Sequence, residues 1–315
     1  MVHIKPFKQI SKKDVPEAGG KGASLGEMTQ AGIPVPPGFV VLANAFDRFT
    51  AETGLNEEIK ARLEAVNPED VNSVEKASVV LRDVIHDTAM PKDLSNEILA
   101  AYDKLGAEFV AVRSSATAED SLVASWAGEL ETYLNTPRKN VTEKVKQCWS
   151  SLFTPRAIFY RHEKNLIDHY VSVAVVVQKM VQSEISGVAF SVHPVTEDRN
   201  QIIIEAGFGL GEAIVSGQIT PDSYVVDKTN WTILDINIAE QEKMMVKKAG
   251  AGNVWKPVIK TKKEAQKLSG KQIIDLAKMI VKIEKHYNFP CDIEWAMNKG
   301  KFYITQSRPI TTLMK

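Results

Sequence analysis

The first third of the chain repeats apolar residues with the spacing of amphipathic helices, and one proline-rich segment interrupts it. Residues 21–30 follow two glycines and stop before Gly32, which predicts a short helix with a glycine at its end. The three prolines within 34–37 exclude a helix there, and the apolar run 39–42 predicts a buried strand. Two further amphipathic helices are expected between residues 71 and 106.

Strand patterns become frequent after Gly106. β-Branched and apolar runs predict strands at 109–112, 171–181, 187–192 and 201–206. The residues between the first two of these strands are expected to form a polar loop over 113–120 and helices over 141–162.

The last third predicts one long helix and one hairpin. Ser269 and Gln272 form an S-x-x-Q capping box at the start of a helix that reaches residue 286. Residues 291–297 and 301–306 then flank a turn that contains Gly300, where a positive φ is expected. The mixture of elements predicts the α+β or α/β class.

Length and composition set the broad class of protein. A chain of 315 residues is expected to form two lobes, and we place their boundary after the strand 171–181, giving lobes 1–182 and 183–315. Lys and Arg together number 39 and equal Asp and Glu, so no basic excess suggests nucleic acid or an anionic membrane surface. Two distant cysteines and the absence of a long apolar run favour a soluble cytoplasmic protein with reduced thiols.

Two basic residues are candidates for binding phosphate. Lys21 lies in the run Gly19–Gly26, where glycines let backbone amides approach an anion at a helix N-terminus. Arg113 follows a buried strand, and we expect it at the strand's carboxyl end, where open α/β sheets bind ligands. The alternatives are a solvated lysine after a glycine turn and an arginine that pairs with the acidic residues 119–120.

Two further segments give weaker local signals. The run 125–132 contains Gly128 and Thr132, and its small residues would permit a loop that closes over phosphates. Gln178 lies near the end of a β-branched strand and could bond an adenine edge, although the local pattern favours an ordinary strand end. The glycine run 207–211 lacks the Rossmann spacing, and we interpret it as a tight structural turn.

The C-terminal hairpin is the candidate metal site. If residues 298–300 form the loop, Asp292 lies opposite Gln306 and Glu294 opposite Ile304, so Asp292, Glu294, Gln306 and Arg308 share one face. Carboxylate and amide oxygens suit Mg²⁺, and Arg308 would hold a phosphate beside it. The alternative is a surface hairpin whose charges face water. The six histidines show no metal spacing and no loop that would present a phosphoryl acceptor.

These segments, in this order, resemble the N-terminal nucleotide-binding part of the dikinase family, which includes phosphoenolpyruvate synthase (pyruvate, water dikinase), pyruvate phosphate dikinase and rifampicin phosphotransferase. The matching strings are GGKGASLGEM, VPPGFVV, AVRSSATAEDS, SWAGELETYLN, CWSSLFTPRAIFYR, GFGLGEAIVSGQITPDSY, DIEW and FYITQSRPITTL. They span residues 19 to 313. One departure is Ser121–Gly128, where the family often reads L-P-D-A-S-F-A-G.

The resemblance implies an ATP-grasp-like α+β fold with ATP in a cleft between two lobes. It implies roles for the residues that match its motifs, with the phosphate clamp, the covering loop and the adenine end in the first lobe and the Mg²⁺ ligands in the second. The clamp is Lys21 and Arg113, the covering loop Gly128 and Thr132, the adenine end Gln178, the metal ligands Glu294 and Gln306, and the phosphate-side cation Arg308.

The resemblance also implies a phosphotransferase that requires ATP, Mg²⁺ and a partner. Family members continue into a swivelling domain that carries a phosphorylated histidine, whereas this sequence stops at Lys315, so a histidine on a separate domain or chain is the expected acceptor. The alternatives are the ATP-binding domain of a rifampicin phosphotransferase-like enzyme and a stand-alone regulatory module that binds nucleotide without turnover.

Overall fold

The computed structural model describes residues 2–117, 131–163, 172–310 and 313. The chain divides into two compact units: Met1–Glu27 with Pro37–Met180, and Met28–Pro36 with Val181–Lys315. The sequence analysis assigned all of residues 1–182 to one lobe. The structure instead assigns residues 28–36 to the second unit. Among the described residues, no helix is long and apolar enough to cross a membrane.

The first unit is built on an antiparallel sheet of five described strands. In chain order they are β1 (Ile4–Pro6), β2 (Gly38–Val41), β3 (Val110–Ala116), β4 (Thr132–Thr136) and β5 (Val173–Lys179). Their order across the sheet is β1-β2-β5-β3-β4, and every neighbouring pair is antiparallel. The β-branched run of β5 therefore occupies the centre, where it is buried on both faces.

Helices cover one face of this sheet. They include α2 (Ala43–Glu52), α3 (Leu55–Glu64), α4 (Val71–Asp87), α5 (Lys92–Leu105), α6 (Val141–Ser150) and α7 (Pro155–Glu163). The main core of the unit lies between them and the face that carries Val112 and Val175. Trp149 anchors this core, with its ring centroid 5.1 Å from that of Phe49.

The helix α1 (Val15–Gln30) begins in the first unit and has a break near its start. Gly19 has φ 68° and ψ 168°, which is outside the helical region and is accessible mainly to glycine. The sequence-based helix over 21–30 is confirmed, and the structure adds one helical turn before the break.

The second unit contains an antiparallel sheet of six described strands. They are β6 (Ile185–Phe190), β7 (Gln201–Phe208), β8 (Asp222–Asp227), β9 (Ile233–Asn237), β12 (Cys291–Asn298) and β13 (Lys301–Pro309). Their order is β13-β12-β6-β7-β8-β9. A separate two-stranded ribbon consists of β10 (Lys243–Lys247) and β11 (Asn253–Pro257), and α8 (Glu212–Val215) is a single turn.

The helix α9 (Gly270–Tyr287) packs against β7, β8 and β12. It begins at the predicted capping box, in which Ser269 accepts from the Gln272 amide and the Gln272 side chain accepts from the Ser269 amide. Its apolar face is fully buried, including Ile273, Leu276 and Ile280. Because both sheets are antiparallel and carry helices, the α+β class is confirmed.

The expected polar loop over 113–120 is wrong for its first four residues. Residues 113–116 continue β3 and pair with Val173–Val176 of β5. Polar residues are tolerated in this buried strand because the hydroxyls of Ser114 and Ser115 bond to backbone carbonyl groups.

Candidate functional site

Arg113 lies in the middle of a sheet rather than at a strand's carboxyl end. It is 9% exposed on β3, between Thr132 of β4 and Val176 of β5. The crevice argument from open α/β sheets was therefore wrong, since that argument applies to parallel strands and this sheet is antiparallel. The register nevertheless places Arg113 and Thr132 directly opposite each other, so their side chains share a face.

The same face carries Gln178. It lies two residues beyond Val176 on β5, where it pairs with Ala111 and Gly38 and is 2% exposed. Strand residues two apart point to the same side, so Gln178 and Arg113 lie on the face opposite the main core. Arg113, Thr132 and Gln178, which were predicted from separate motifs, thus lie on one surface of the first unit. Gly128, the other residue predicted for the covering loop, lies outside the described residues.

Lys21 approaches this surface from α1. Its Nζ donates to the carbonyl oxygen of Ser114 at 3.2 Å, and Ser114 follows Arg113 directly on β3. An ideal Cβ on Gly22 would lie 3.0 Å from Val40, which is next to Val176 on the same face of the sheet. The structure therefore brings Lys21 and Arg113 to adjacent positions within one unit.

The carboxylate residues of the second unit lie on the C-terminal hairpin, in a register that differs from the expectation. Asp292 pairs with Arg308 and Glu294 with Gln306, not with Gln306 and Ile304. The observed pairing is displaced by two residues. One comes from the turn, which is one residue shorter than expected because Asn298 pairs with Lys301, and the other from a bulge between Glu294 and Trp295, which alternation of residue types does not reveal.

The corrected register keeps the predicted shared face and brings two of its members closer. Glu294 and Gln306 are direct cross-strand neighbours rather than diagonal ones, so their side chains project side by side. The positive φ expected at Gly300 is confirmed, at 72°, but the turn comprises Lys299 and Gly300 rather than residues 298–300, because Asn298 pairs with Lys301.

The electrostatics of this face are dominated by carboxylates. Burial raises the pKa of Asp292, and the neighbouring Glu294 raises it further. Arg308 opposes the increase, since its Nε and a terminal guanidinium nitrogen each lie 2.8 Å from Oδ2 of Asp292. The side chain of Arg308 is 56% exposed in this ion pair, whereas that of Asp292 is 13% exposed.

Sequence reasoning did not place Glu205 in this group. On β6, Val188 pairs with Glu294 of β12. Because the next residue, Ala189, pairs with Ile204 of β7, Val188 lies opposite Glu205 on its other side, so Glu205 and Glu294 flank the same residue. Burial raises the pKa of Glu205, and the charge of Asp292 adds to the effect. The signal that could have located it is a single carboxylate in the otherwise apolar run 202–208 of β7, and that signal becomes informative only when the strand order is known. We call Glu205, Asp292 and Glu294 the carboxylate row.

Hard oxygen donors of this kind fit Mg²⁺, which takes few protein ligands together with substrate phosphates. Among the described residues, no group of three or more His, Cys, Asp or Glu side chains is arranged to hold a metal ion by itself. The donor set of Glu294 and the amide of Gln306 therefore fits a cation that is shared with a ligand.

A second buried charge group was also missed from the sequence. Asp222 and Lys267 are fully buried in the second unit, with Lys267 Nζ 2.8 Å from Asp222 Oδ1. The hydroxyl of Tyr224 donates to Asp222 Oδ2 at 2.7 Å. Sequence patterns do not identify such a pair because single Lys and Asp residues usually lie in water.

The glycine run 207–211 forms a tight turn after β7, as interpreted from the sequence. Gly209 has φ 91°, and its amide donates to Glu184 while its carbonyl accepts from the hydroxyls of Ser183 and Ser186. The side chain of Gln241 bonds both the amide and the carbonyl of Phe208. These contacts give the run a structural role.

Comparison with known proteins identifies the family. Residues 15–315 match the family described as pyruvate phosphate dikinase, AMP/ATP-binding domain. A probable phosphoenolpyruvate synthase of Methanocaldococcus jannaschii is 49% identical over 98% of this chain and 26% of its own length. The phosphoenolpyruvate synthase of Pyrococcus furiosus is 44% identical over 98% of this chain and 44% of its own length.

A third relative, a probable phosphoenolpyruvate synthase of Archaeoglobus fulgidus, is 49% identical over 97% of this chain and 41% of its own length. The chain thus spans about a quarter to less than half of the length of these curated relatives.

A solved D-alanine–D-alanine ligase from Bacillus anthracis, complexed with ATP, covers 70% of this chain and 55% of its own, with 11% identity and a TM-score of 0.25. A likeness at this TM-score adds no argument about the fold. The family match covers nearly the whole sequence, and the chain belongs to the pyruvate phosphate dikinase AMP/ATP-binding domain family.

Proposed function

We propose that this chain is the ATP·Mg²⁺-binding phosphotransfer module of a phosphoenolpyruvate synthase-like dikinase. It cleaves ATP to AMP and donates to a histidine on a separate domain or chain either the pyrophosphoryl group or the β-phosphoryl group, in the second case with hydrolytic release of the γ-group as phosphate. The family match and the names of the relatives support this function over a rifampicin phosphotransferase-like one. The observation that carries it is the adjacency of Lys21 and Arg113, two cations from distant motifs, in one unit.

The proposed chemistry of the first unit is charge neutralisation and orientation. A transferring phosphoryl group spreads negative charge over its oxygens, and cations held in place stabilise that charge. Lys21 and Arg113 would supply two cations, and Thr132, opposite Arg113, a hydroxyl. Arg113 is suited to phosphate because its planar guanidinium can bond two oxygens, and Gln178 would contact the adenine on the same face.

In the second unit, Glu294 and Gln306 would hold Mg²⁺, which neutralises phosphate charge when bound. Arg308 would contact a phosphate, which requires it to exchange its contact with Asp292 for the ligand. The Arg308 side of the pair is open to solvent, since its side chain is 56% exposed whereas that of Asp292 is 13% exposed, so Arg308 can reach a ligand without movement of the carboxylate.

A nucleotide titration tests the proposal. ATP should bind the wild-type chain at least roughly tenfold more tightly with Mg²⁺ than with EDTA, since a charged ligand contact contributes a kcal/mol or more. Glu294→Ala should lose this Mg²⁺ dependence and keep the affinity measured in EDTA. Glu264→Ala, at an exposed position of the same unit, is the matched control and should behave as wild type.

Two results would overturn the proposal: no binding of ATP in either condition, or an unchanged Mg²⁺ dependence in Glu294→Ala. The same samples separate a phosphotransferase from a regulatory module. With a histidine-carrier domain of a relative added, ATP should be converted to AMP, whereas a regulatory module would bind ATP and form no AMP.

A further inference from the structure

Ser115 is inserted into the backbone of α1 at the break that precedes Lys21. Its hydroxyl donates to the carbonyl of Ala18 at 2.9 Å and accepts from the amide of Gly22 at 3.2 Å. In an uninterrupted helix, the amide of Gly22 would donate directly to the carbonyl of Ala18, four residues earlier. The hydroxyl of a β3 residue therefore replaces one helical hydrogen bond, which is a recognised cause of a helix kink.

The break and the strand are closely fitted. Ser115 is fully buried, and an ideal Cβ on Gly19 would lie 2.2 Å from its Oγ and 2.4 Å from its carbonyl oxygen. Gly19 also needs φ 68°, so both its conformation and the space around it exclude a side chain. The start of the Lys21 helix is thereby fixed at hydrogen-bonding distance from β3.

The amine of Lys21 ends on the same strand, one residue away from this bridge. It donates to the carbonyl of Ser114, which lies between Arg113 and Ser115. The backbone that carries Lys21 and the strand that carries Arg113 are therefore joined by a buried hydroxyl and by the lysine itself. A small rotation of the helix about the Gly19 break would separate the two cations.

We propose that Ser115 is a positioning residue, which sets the distance and direction of Lys21 relative to Arg113 through its hydroxyl bridge across the α1 break. The inference rests on the proposed function, in which these two cations bind the phosphates of ATP. Ser115 itself contacts no ligand. Its effect on nucleotide binding passes through Lys21.

The test is a double-mutant cycle with Ser115→Ala and Lys21→Met, measured by titration of the 315-residue chain with ATP·Mg²⁺ and with adenosine. Ser115→Ala should weaken ATP binding roughly tenfold, the effect of one misdirected hydrogen bond to a charged group, and leave adenosine binding unchanged. In the Lys21→Met background, Ser115→Ala should cause no further loss of ATP affinity.

Ser78→Ala is the matched control, because Ser78 is a buried hydroxyl of the same unit that donates to the carbonyl of Phe153 at 2.7 Å. It should lower thermal stability as Ser115→Ala does, without changing the ratio of ATP to adenosine affinity. If Ser115→Ala does not fold, Ser115→Cys fills the same space with a weaker hydrogen-bonding group and enters the same cycle.

An equal loss of ATP and adenosine affinity in the Ser115 variant would overturn the inference, as would a loss that persists in the Lys21→Met background. An unchanged ATP affinity in the Ser115 variant would also overturn it. Failure of the proposed function gives a different result: Lys21→Met would then bind ATP as the wild-type chain does.

Discussion

Two groups of charged side chains in the second unit are built in opposite ways. The side chains of Asp222 and Lys267 are fully buried and form an ion pair with each other. The carboxylate row of Glu205, Asp292 and Glu294 is half-buried and contains like charges that raise the pKa of Asp292 and of Glu205.

The contacts of the buried pair show how complete its environment is. Besides Lys267, Asp222 accepts from the amides of Ala239 and Lys267 and from the hydroxyl of Tyr224. Lys267 also donates to the carbonyl of Ala239 at 2.6 Å. A charge that maintains the fold is thus surrounded by partners, whereas under the proposed function the carboxylate row would be stabilised by a cation that arrives with the ligand. The difference would then separate a structural charge from one used for binding.

The largest expected effect comes from breaking the buried pair. Lys267→Met leaves the carboxylate of Asp222 buried without its cation, which should lower the free energy of unfolding by about 3–5 kcal/mol. Chemical denaturation measures the loss. Lys263→Met is the control, because Lys263 pairs with Glu242 at 3.3 Å near the surface and should contribute about 1 kcal/mol or less. Equal small losses in both variants would contradict the structural role of the buried pair.

A smaller effect is expected from the tyrosine beside that pair. Tyr224→Phe removes the hydroxyl that donates to Asp222 and accepts from the amide of Leu268 at 3.3 Å, and it should lower the free energy of unfolding by about 1–2 kcal/mol. Tyr303→Phe, in which the ring under Lys301 is retained, should change stability by no more than ~0.5 kcal/mol. A Tyr224→Phe chain as stable as wild type would show that the network does not depend on its hydroxyl.

The two groups also differ in how far the sequence predicted them. The hairpin carrying Asp292, Glu294 and Gln306 was predicted from two strands and a glycine turn, and its shared face followed from the period of two. The register was wrong by two residues because the turn is one residue shorter than expected and the bulge after Glu294 displaces the pairing by one more, and both are set by local backbone geometry. The buried pair joins residues 45 positions apart, and nothing in either local pattern indicates such a contact.

In the first unit, periodicity predicted α1, α4 to α7, β2, β5 and the start of β3. It did not predict α2, α3, β1 or β4, nor the placement of Arg113. The run Arg113–Ala116 is polar enough to predict a loop, and it is a strand because buried hydroxyls bond to backbone groups of distant segments. Lys21 was identified from its glycine-rich context and from the family resemblance. Its contact with Ser114 depends on the break at Gly19, which a glycine permits but does not specify.

The smallest predicted effect concerns the carboxylate row and has the opposite sign. The pKa of Glu205 is raised above its ordinary value of 4.5 by burial and by Asp292, so the folded chain binds this proton more tightly than the unfolded chain. Stability is therefore lost as the pH rises above the unfolded value, and it stays reduced at neutral pH. Glu205→Gln removes this loss and should raise the free energy of unfolding at pH 7 by ~0.2–1 kcal/mol.

The gain should shrink as the pH falls from 7 towards the ordinary value of 4.5, because protonation of Glu205 in the folded chain removes the same burial cost and repulsion. Denaturation curves at several pH values without Mg²⁺ measure it, and Glu264→Gln, at an exposed position, should show no gain at any pH. A Glu205→Gln chain that is less stable than wild type at pH 7 would mean that Glu205 is compensated as Asp222 is. The distinction between the two groups of charges would then be lost, and with it the argument that the row is available to a cation.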